Sequence, residues 1–412
     1  MHLIQAFAGL RPADGRAPEI VAPPYDVLSS DEARVRAAGK PWSFLHISKP
    51  EIDLPVGIDL YSAPVYAKAA ENLAHMVKEG VLVRDAAPCY YVYRIIMGTH
   101  VQTGLVAAAS VADYDKNRIR RHELTRPDKE DDRVRQIEAL SAQTGPVLLA
   151  YPKAPAVDAI LQAATLGEPI ADAVADDGIR HTVWAISDAA TLSKLTDEFD
   201  AMHALYIADG HHRSAAASRV CAARKAANPQ HTGSESYNYF LSVIFPDHEL
   251  AILDYNRVVT DLNGLSQADF LTRISTAFSV EKATGQVKPG KHGEVGMYLA
   301  GSWYRLQIKP ELVPQDPVAR LDVSLLSEHL LGPVLGIADL RRDKRIDFVG
   351  GIRGLPELEK RVNSGEMAVA FAMYATTMGD LMSVADADQI MPPKSTWFEP
   401  KLADGLLSHV LD

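Results

Sequence analysis

Apolar residues occur along the chain in short runs separated by polar turns, a pattern typical of strands that alternate with helices. The apolar runs predict strands over 89–97, 102–114, 146–152, 180–187, 204–208, 236–246, 345–352 and 367–375. Amphipathic or alanine-rich segments predict helices over 63–79, 134–140, 152–178, 188–203, 214–227, 324–335, 355–365 and 379–390. Ser29 or Ser30 is placed to cap a helix that starts near Asp31. Together these elements predict an α+β fold.

The overall composition excludes some classes of function. The 412-residue chain has 42 basic and 53 acidic residues and a net charge of −11 at pH 7. Because non-specific nucleic-acid binding needs a basic surface, this balance argues against a nucleic-acid partner. The two cysteines, Cys89 and Cys221, are far apart, and the N-terminus lacks the regions of a signal peptide. No apolar stretch reaches the length of a membrane span, so we expect a cytoplasmic protein without a membrane partner.

The segment 205–213, LYIADGHHR, has the strongest chemical character in the chain. It predicts a short strand, then a loop, then the start of a helix. Gly210 permits a sharp turn, and the N–H groups at the start of a helix attract anions such as phosphate. His211, His212 and Arg213 add donors and positive charge at the same place, and the arginine fork suits phosphate. The histidines could instead cap the helix or bind a metal, but the charge of Arg213 favours phosphate over a cation.

Two carboxylates are candidates for roles other than anion binding. Asp209 precedes the glycine, where it would repel phosphate unless it binds a cation or accepts a proton, two tasks that phosphoryl transfer requires. Glu123 lies beside Arg121 and His122 in a densely charged segment, where neighbouring charges can shift the pKa of a carboxyl. The alternative interpretation of that segment is a solvated charged face.

Both segments resemble those of a known superfamily. HELT, followed by a helix, the strand PVLLAY and then LYIADGHHR, is similar to ParB/sulfiredoxin-like proteins, and more narrowly to archaeal free-serine kinases. The whole chain also resembles a large prokaryotic family of uncharacterised proteins, which shares VAPPYDV (21–27), the HE segment, YIADGHHR and a tail like PPKSTWFEPK (392–401). The resemblance implies a central ParB/sulfiredoxin-like module at 111–255, between an N-terminal α+β segment at 1–110 and a C-terminal α/β segment at 256–412.

The resemblance also implies roles for individual residues. Glu123 matches the catalytic glutamate of the kinases and would take the proton of an acceptor hydroxyl. Asp209 and His211 are the other predicted catalytic residues, and Asp209 would bind Mg²⁺ or orient the acceptor. The predicted phosphate- and nucleotide-binding residues are Gly210, His212, Arg213, His122 and, from the tail, Lys394.

These roles together imply a small-molecule kinase or related phosphotransferase. It would use ATP or ADP with Mg²⁺, and serine is the leading acceptor. Two alternatives stay open: a nucleotide- or metabolite-binding sensor without catalysis, and a phosphoserine phosphatase that uses the same phosphate site. Glu123 favours an enzyme, because a sensor has less need of a base. The sequence does not separate the kinase from the phosphatase.

Overall fold

The computed structural model describes residues 2–412, which fall into two compact units. The first unit contains the chain up to Leu250 together with Pro400–Asp412, and the second contains Ala251–Glu399. The chain therefore leaves the first unit, builds the second and returns to the first for its last segment. Helices and strands are mixed throughout, so the predicted α+β class is confirmed. The three-part division and the ParB/sulfiredoxin-like label of the middle part stay predictions.

The first unit is built on one large mixed sheet. The strands of the unit are β1 (Ile4–Gln5), β2 (Leu10–Pro12), β3 (Leu82–Arg84), β4 (Tyr90–Met97), β5 (His100–Ser110), β6 (Ile119–Arg120), β7 (Ala142–Gln143), β8 (Val147–Tyr151), β9 (Ala171–Val174), β10 (Arg180–Ile186), β11 (Leu205–Asp209) and β12 (Tyr239–Pro246). Nine of them form the sheet in the order β6-β11-β8-β12-β5-β4-β10-β9, with β1 added beside β5. The pairs β6–β11 and β8–β12 are parallel and the other pairs are antiparallel.

Helices of the first unit cover the sheet and form a second, smaller core. They are α1 (Ala17–Ile20), α2 (Ser30–Ala37), α3 (Leu45–Ser48), α4 (Ala63–Lys78), α5 (Val111–Asp115), α6 (Pro127–Leu140), α7 (Pro155–Ala164), α8 (Ala189–Asp200) and α9 (His211–Ala227). Apolar residues of α5, α7, α8 and α9 share one buried cluster with the sheet. Those of α2, α3 and α4 form another, which includes Phe44 and Leu73. The last segment of the chain contributes the short strand His409–Val410, which pairs with β7.

The second unit contains a sheet that is antiparallel throughout. The strands of this unit are β13 (Ala251–Leu253), β14 (Tyr255–Val259), β15 (Phe278–Lys282), β16 (Glu294–Leu299), β17 (Ser302–Ile308), β18 (Ile346–Gly350), β19 (Val369–Met373) and β20 (Trp397–Glu399). Six of them follow the order β15-β17-β16-β19-β14-β18, while β13 pairs with β20. The helices are α10 (Gln267–Ile274), α11 (Asp322–Leu326), α12 (Gly354–Asn363) and α13 (Met378–Asp386).

Most predicted elements are confirmed, and four are corrected. The strand predicted over 102–114 ends at Ser110, because the Ser110 hydroxyl accepts a hydrogen bond from the Asp113 N–H at 3.1 Å and caps the helix α5 (Val111–Asp115). The helix predicted over 152–178 ends at Ala164, because Ala171–Val174 pairs with β10, and this pairing outweighs the helix propensity of alanine. The loop predicted at 209–213 is shorter, since α9 already begins at His211. The tail MPPKSTWFEPKLADG (391–405), whose sequence predicts a loop, contains β20. Among residues 2–412, no helix combines the length and the apolar character needed to cross a membrane.

The start of α2 provides a test of the predicted capping. The Ser29 side chain accepts a hydrogen bond from the Glu32 N–H at 3.2 Å, and the Glu32 carboxylate accepts one from the Ser29 N–H at 2.8 Å. Ser29→Ala should lower the free energy of unfolding by about 1 kcal/mol, because it removes the capping acceptor. Ser29→Thr keeps a hydroxyl and should lose less. Urea denaturation measures both, and an unchanged midpoint for Ser29→Ala would contradict the assigned cap.

Candidate functional site

Two adjacent parallel strands bring the two predicted segments together. β6 pairs with β11, with Ile119 opposite Leu205 and Arg120 opposite Tyr206. Because the strands run in the same direction, the residues that follow them emerge at the same edge of the sheet. The HE segment follows β6 and the DGHHR segment follows β11, so both lie at carboxyl ends of strands, the edge at which open α/β sheets bind ligands.

Gly210 makes the turn from β11 into α9. Its φ of 97° is in the left-handed region, which glycine adopts without steric cost. A Cβ at this position would lie 3.2 Å from Nε of Arg213 and 3.3 Å from Cα of Val147, so the close packing also requires glycine. The Gly210 carbonyl accepts hydrogen bonds from the N–H groups of Arg213 and Ser214, at 2.9 and 3.1 Å. The first N–H groups of a helix lack partners within the helix, which is what makes a helix start able to bind an anion.

His122, Glu123 and His211 form a cluster beside this turn. The rings of His122 and His211 meet edge to face, with centroids 4.5 Å apart. Nδ1 of His211 lies 4.0 Å from Oε2 of Glu123. Both histidines are buried, whereas the Glu123 side chain is 54% exposed and so can reach a ligand from solvent.

Burial keeps both histidines neutral. It lowers the pKa of His122 to about 4, against smaller opposing effects from the Ile207 backbone and the carboxylate of Asp209. It also lowers the pKa of His211 far below its ordinary value, and the neighbouring His122 adds to this shift. Neutral imidazoles do not attract phosphate by charge, so the groups here with positive electrostatic character are the helix start and Arg213.

Asp209 lies between two cations. The Lys401 ammonium donates a hydrogen bond to Oδ2 at 3.1 Å, and Nη2 of Arg213 lies 3.9 Å from Oδ1. Burial alone would raise the pKa of Asp209, but the charges of Lys401 and Arg213 outweigh it and hold the pKa well below its ordinary range. Asp209 is therefore a carboxylate at neutral pH, and cations of the protein itself already compensate its charge.

Arg213 is fixed by groups from several loops. Its side chain is only 11% exposed, and Nη2 lies 3.7 Å from Oδ2 of Asp26. Nη1 donates a hydrogen bond to the Pro146 carbonyl. Burial alone would lower the pKa of Arg213, but Asp26 and Asp209 raise it above its ordinary value, so the guanidinium stays charged. A Cβ at Gly145 would lie 3.3 Å from Cδ of Arg213, so the small residue leaves room for the arginine stem.

A pocket beside Arg213 carries polar groups of both signs. Its lining includes Tyr25, Arg133, Thr144, Gly145, Arg213 and Asp404. The guanidinium of Arg133 lies over the Tyr25 ring, 3.8 Å from its centroid. Asp404 is 2% exposed, and its Oδ1 makes no hydrogen bond within residues 2–412. Burial raises the pKa of Asp404 to about 7 against the opposing charge of Arg213, so this carboxyl titrates near neutral pH.

The other two predicted site residues have different surroundings. Nε2 of His212 accepts a hydrogen bond from the Arg126 N–H at 3.0 Å, which joins the first turn of α9 to the segment before α6. Lys394 belongs to the second unit, where its ammonium lies 5.5 Å from the centroid of the Tyr255 ring and its carbonyl accepts a hydrogen bond from Arg257 at 3.0 Å. A phosphate contact from Lys394 stays a prediction.

Three residues of the site, Lys401, Arg133 and Asp404, are not predicted from the sequence as site residues, whereas Asp26 follows two prolines that could hold it at a pocket edge. Asp26 and Lys401 lie within the VAPPYDV and tail segments that carried the family resemblance, so a signal for them was present. Arg133 lies in the charged segment after the HE motif, where nothing distinguishes it from its neighbours. Asp404 is a single acidic residue in a loop-like tail, and only its burial marks it as unusual.

Comparisons with known proteins identify a family and several solved structures of low similarity. The family described as "Protein of unknown function (DUF1015)" matches residues 4–324, well over half of the chain. A search of curated proteins gives no match. A conserved hypothetical protein from Pyrococcus furiosus aligns at 13% identity and a TM-score of 0.35, over 76% of this chain and 97% of its own.

Two further solved structures align at similar levels. A free serine kinase in complex with AMP has 12% identity and a TM-score of 0.36, over 73% of this chain and 92% of its own. SbnI from Staphylococcus aureus, truncated at its C-terminus, has 9% identity and a TM-score of 0.39, over 73% of this chain and 85% of its own. Alignments at these TM-scores carry no inference about function, which must come from the residues of the site.

The buried Asp404 predicts a specific dependence of stability on pH. The carboxyl has an ordinary pKa of 3.8, which we assign to the unfolded chain, and a pKa of about 7 in the folded protein. Between these values the folded state binds more protons, so the free energy of unfolding falls as pH rises, by at most about 1.4 kcal/mol per pH unit. Asp404→Asn lacks this titration. Relative to the wild type, it should gain stability from about pH 5 to about pH 7 and then level off. Thermal unfolding across this range tests the assignment, and a difference that does not change with pH would contradict it.

Proposed function

The chain belongs to the family described as "Protein of unknown function (DUF1015)", and we propose that it is a nucleotide-dependent small-molecule kinase with serine as the leading acceptor. The observation that carries this proposal is the short distance between a carboxylate and an anion-attracting helix start. Oε2 of Glu123 lies 4.0 Å from Nδ1 of His211, the first residue of α9. The resemblance of the HE and DGHHR segments to those of free-serine kinases supports the same assignment.

The turn at Gly210 would hold the phosphate that is transferred. The first N–H groups of α9 supply hydrogen bonds and the positive end of the helix dipole. Arg213 adds a full positive charge that does not titrate at neutral pH, because Asp26 and Asp209 stabilise it. His122 would belong to the site without contacting phosphate directly, because its side chain is only 2% exposed and its ring is neutral.

The pocket beside Arg213 would take the acceptor. A free amino acid carries one positive and one negative group, and the pocket offers partners for both. Arg133 and Arg213 suit a carboxylate. Asp404, when ionised, suits an ammonium, and binding of a cation there would favour its charged form.

Glu123 would serve as the general base of the transfer. The hydroxyl oxygen of the acceptor attacks the terminal phosphorus of the nucleotide, and Glu123 takes the hydroxyl proton. The bond between that phosphorus and the bridging oxygen breaks, and the shortened nucleotide leaves with the electron pair. Phosphoryl transfer depends mainly on such positioning and on charge stabilisation.

Mg²⁺ would be bound mostly by the phosphates of the nucleotide and by water, as is usual for this ion. Of the two roles predicted for Asp209, its surroundings favour orientation of the acceptor over metal binding. Lys401 at 3.1 Å and Arg213 at 3.9 Å already compensate the carboxylate, and they would have to be displaced by a cation. Asp209→Asn should therefore impair turnover without raising the concentration of Mg²⁺ that is required.

The first test concerns nucleotide binding. ATP or ADP with Mg²⁺ should raise the melting temperature, since a ligand at 100 times its dissociation constant stabilises the folded state by about 2.7 kcal/mol. Arg213→Lys keeps the charge but loses the planar fork, and it should weaken binding by roughly tenfold, the size of one charged hydrogen bond. Arg219→Lys is the matched control, because Arg219 lies on the same helix and pairs with Asp131 at 2.7 Å on an exposed face.

Two outcomes would count against the nucleotide site. One is the absence of any thermal shift with either nucleotide at millimolar concentration. The other is equal weakening by the Arg219→Lys control, which would trace the effect to the stability of α9. A thermal shift with serine or phosphoserine alone would instead favour a metabolite sensor or a phosphatase.

The second test concerns the base. Glu123→Gln keeps the shape of the side chain and removes the proton acceptor, so turnover of serine with nucleotide should fall by about 10²–10⁴-fold. Nucleotide affinity should stay close to that of the wild type, because the phosphate contacts are unaltered. Glu138→Gln is the control: its partner is Arg224 at 3.6 Å, on the exposed side of α6. Full activity of Glu123→Gln on a confirmed substrate would contradict the assignment of Glu123 as the base. Hydrolysis of phosphoserine without nucleotide would indicate a phosphatase and not a kinase.

A further inference from the structure

The histidine cluster leaves buried nitrogen atoms unsatisfied. Within residues 2–412, neither ring nitrogen of His122 makes a hydrogen bond of good geometry, although the Ile207 backbone is close enough to act on the ring, and Nε2 of His211 makes none either. The two residues are 2% and 5% exposed, so bulk solvent does not reach their rings. Leaving a buried polar group without a partner destabilises the folded state. The proposed kinase mechanism uses neither His122 nitrogen and does not explain this arrangement.

A divalent metal ion is a partner that would take one nitrogen of each ring. Neutral imidazole nitrogen is the commonest protein ligand for such ions, and a carboxylate oxygen often completes the set. One ligand atom each from His122, Glu123 and His211 lie within 4.8 Å of one another. Zinc binds such atoms at about 2.0–2.1 Å, which places tetrahedral ligands roughly 3.3 Å apart. Binding would require side-chain rotations that bring these atoms closer together, for example Nδ1 of His211 and Oε2 of Glu123 from their present 4.0 Å.

We propose that His122, Glu123 and His211 bind one divalent transition-metal ion of the Zn²⁺ or Co²⁺ type. Two nitrogen ligands select such borderline ions over Mg²⁺ and Ca²⁺, which prefer oxygen. Three protein ligands leave a fourth position for water or a substrate atom, as in catalytic zinc sites. The site is therefore separate from the Mg²⁺ that accompanies the nucleotide.

The surrounding charges allow a cation at this position. Arg213, the strongest positive group nearby, is engaged by Asp26 at 3.7 Å and by Asp209 at 3.9 Å. Arg121 is a second positive group, and its guanidinium lies 5.3 Å from the centroid of the Tyr114 ring.

Metal binding at this site is independent of the kinase function, but one consequence rests on it. An ion on Glu123 takes the lone pairs that proton transfer would use. If Glu123 is the base, saturation with Zn²⁺ should slow turnover of the nucleotide and acceptor. If the protein binds the metal but lacks kinase activity, the proposed metal site is supported and only the proposed kinase reaction is contradicted.

The test uses the full chain without nucleotide. Equilibrium dialysis against Co²⁺ should give one bound ion per chain, with the visible absorption of Co²⁺ in a nitrogen- and oxygen-ligand field. His122→Asn and His211→Asn should each weaken binding by more than the ~10–100-fold that loss of an outer-shell partner costs. His231→Asn is the control for surface binding, because His231 pairs with Glu235 at 3.0 Å outside the cluster. Excess Mg²⁺ should not displace the bound Co²⁺.

Folding of each variant is checked by circular dichroism. Should either histidine variant fail to fold, Glu123→Gln decides, because this side chain is 54% exposed and its loss should weaken binding without unfolding the protein. Absence of a bound ion at millimolar Co²⁺ or Zn²⁺ would overturn the proposal. Binding that survives in His122→Asn, His211→Asn and Glu123→Gln, or that is lost in His231→Asn, would overturn it as well.

Discussion

The positive charge of Arg213 is held in a place almost closed to water, and separate chain segments meet to compensate it. Asp26 comes from the turn after Pro24, the Pro146 carbonyl from the loop before β8, and Asp209 from the end of β11. A buried charge that loses its partners costs several kcal/mol, so none of these segments can move alone without a large penalty. The turn at Gly210 is thereby fixed from outside, and its geometry depends on the folding of the first unit as a whole.

Burial acts in opposite directions on the two halves of the site. On one side, Asp209 keeps its charge because Lys401 and Arg213 outweigh the cost of desolvation. On the other side, His122 and His211 have only each other and weak opposing charges nearby, so burial makes them neutral. One half is therefore a set of fixed charges and the other a set of lone pairs and N–H groups. The difference in charge between the two halves, and not the number of histidines, determines which ligand each half can hold.

The elements that the sequence predicts correctly are those whose pattern is local. The run before Tyr151 and the run before Asp209 are apolar enough to form buried strands in almost any context, and α4 has a clear apolar face. Ala171–Val174 was wrongly predicted as helix, because only its pairing with β10 makes it a strand. The site shows the same contrast. The chemistry of 209–213 can be read from residue types, whereas the burial of Asp404 and the contact between Asp209 and Lys401 depend on a tail that follows an entire second unit. The two-residue strand β6, which places Glu123, is too short for any periodicity to reveal.

The position of Glu123 also restricts what can bind beside it. A carboxylate next to a bound phosphate repels it, and the repulsion is strong where little water screens the charges. A group that is neutral or positive must therefore lie between them when the site is occupied. An acceptor hydroxyl that passes its proton to Glu123 meets this requirement, and so does a divalent ion held by Glu123 and the two histidines. In both cases Glu123 does not bind the anion itself, and the exposure of its side chain beside two buried rings leaves the space in which the intervening group can enter.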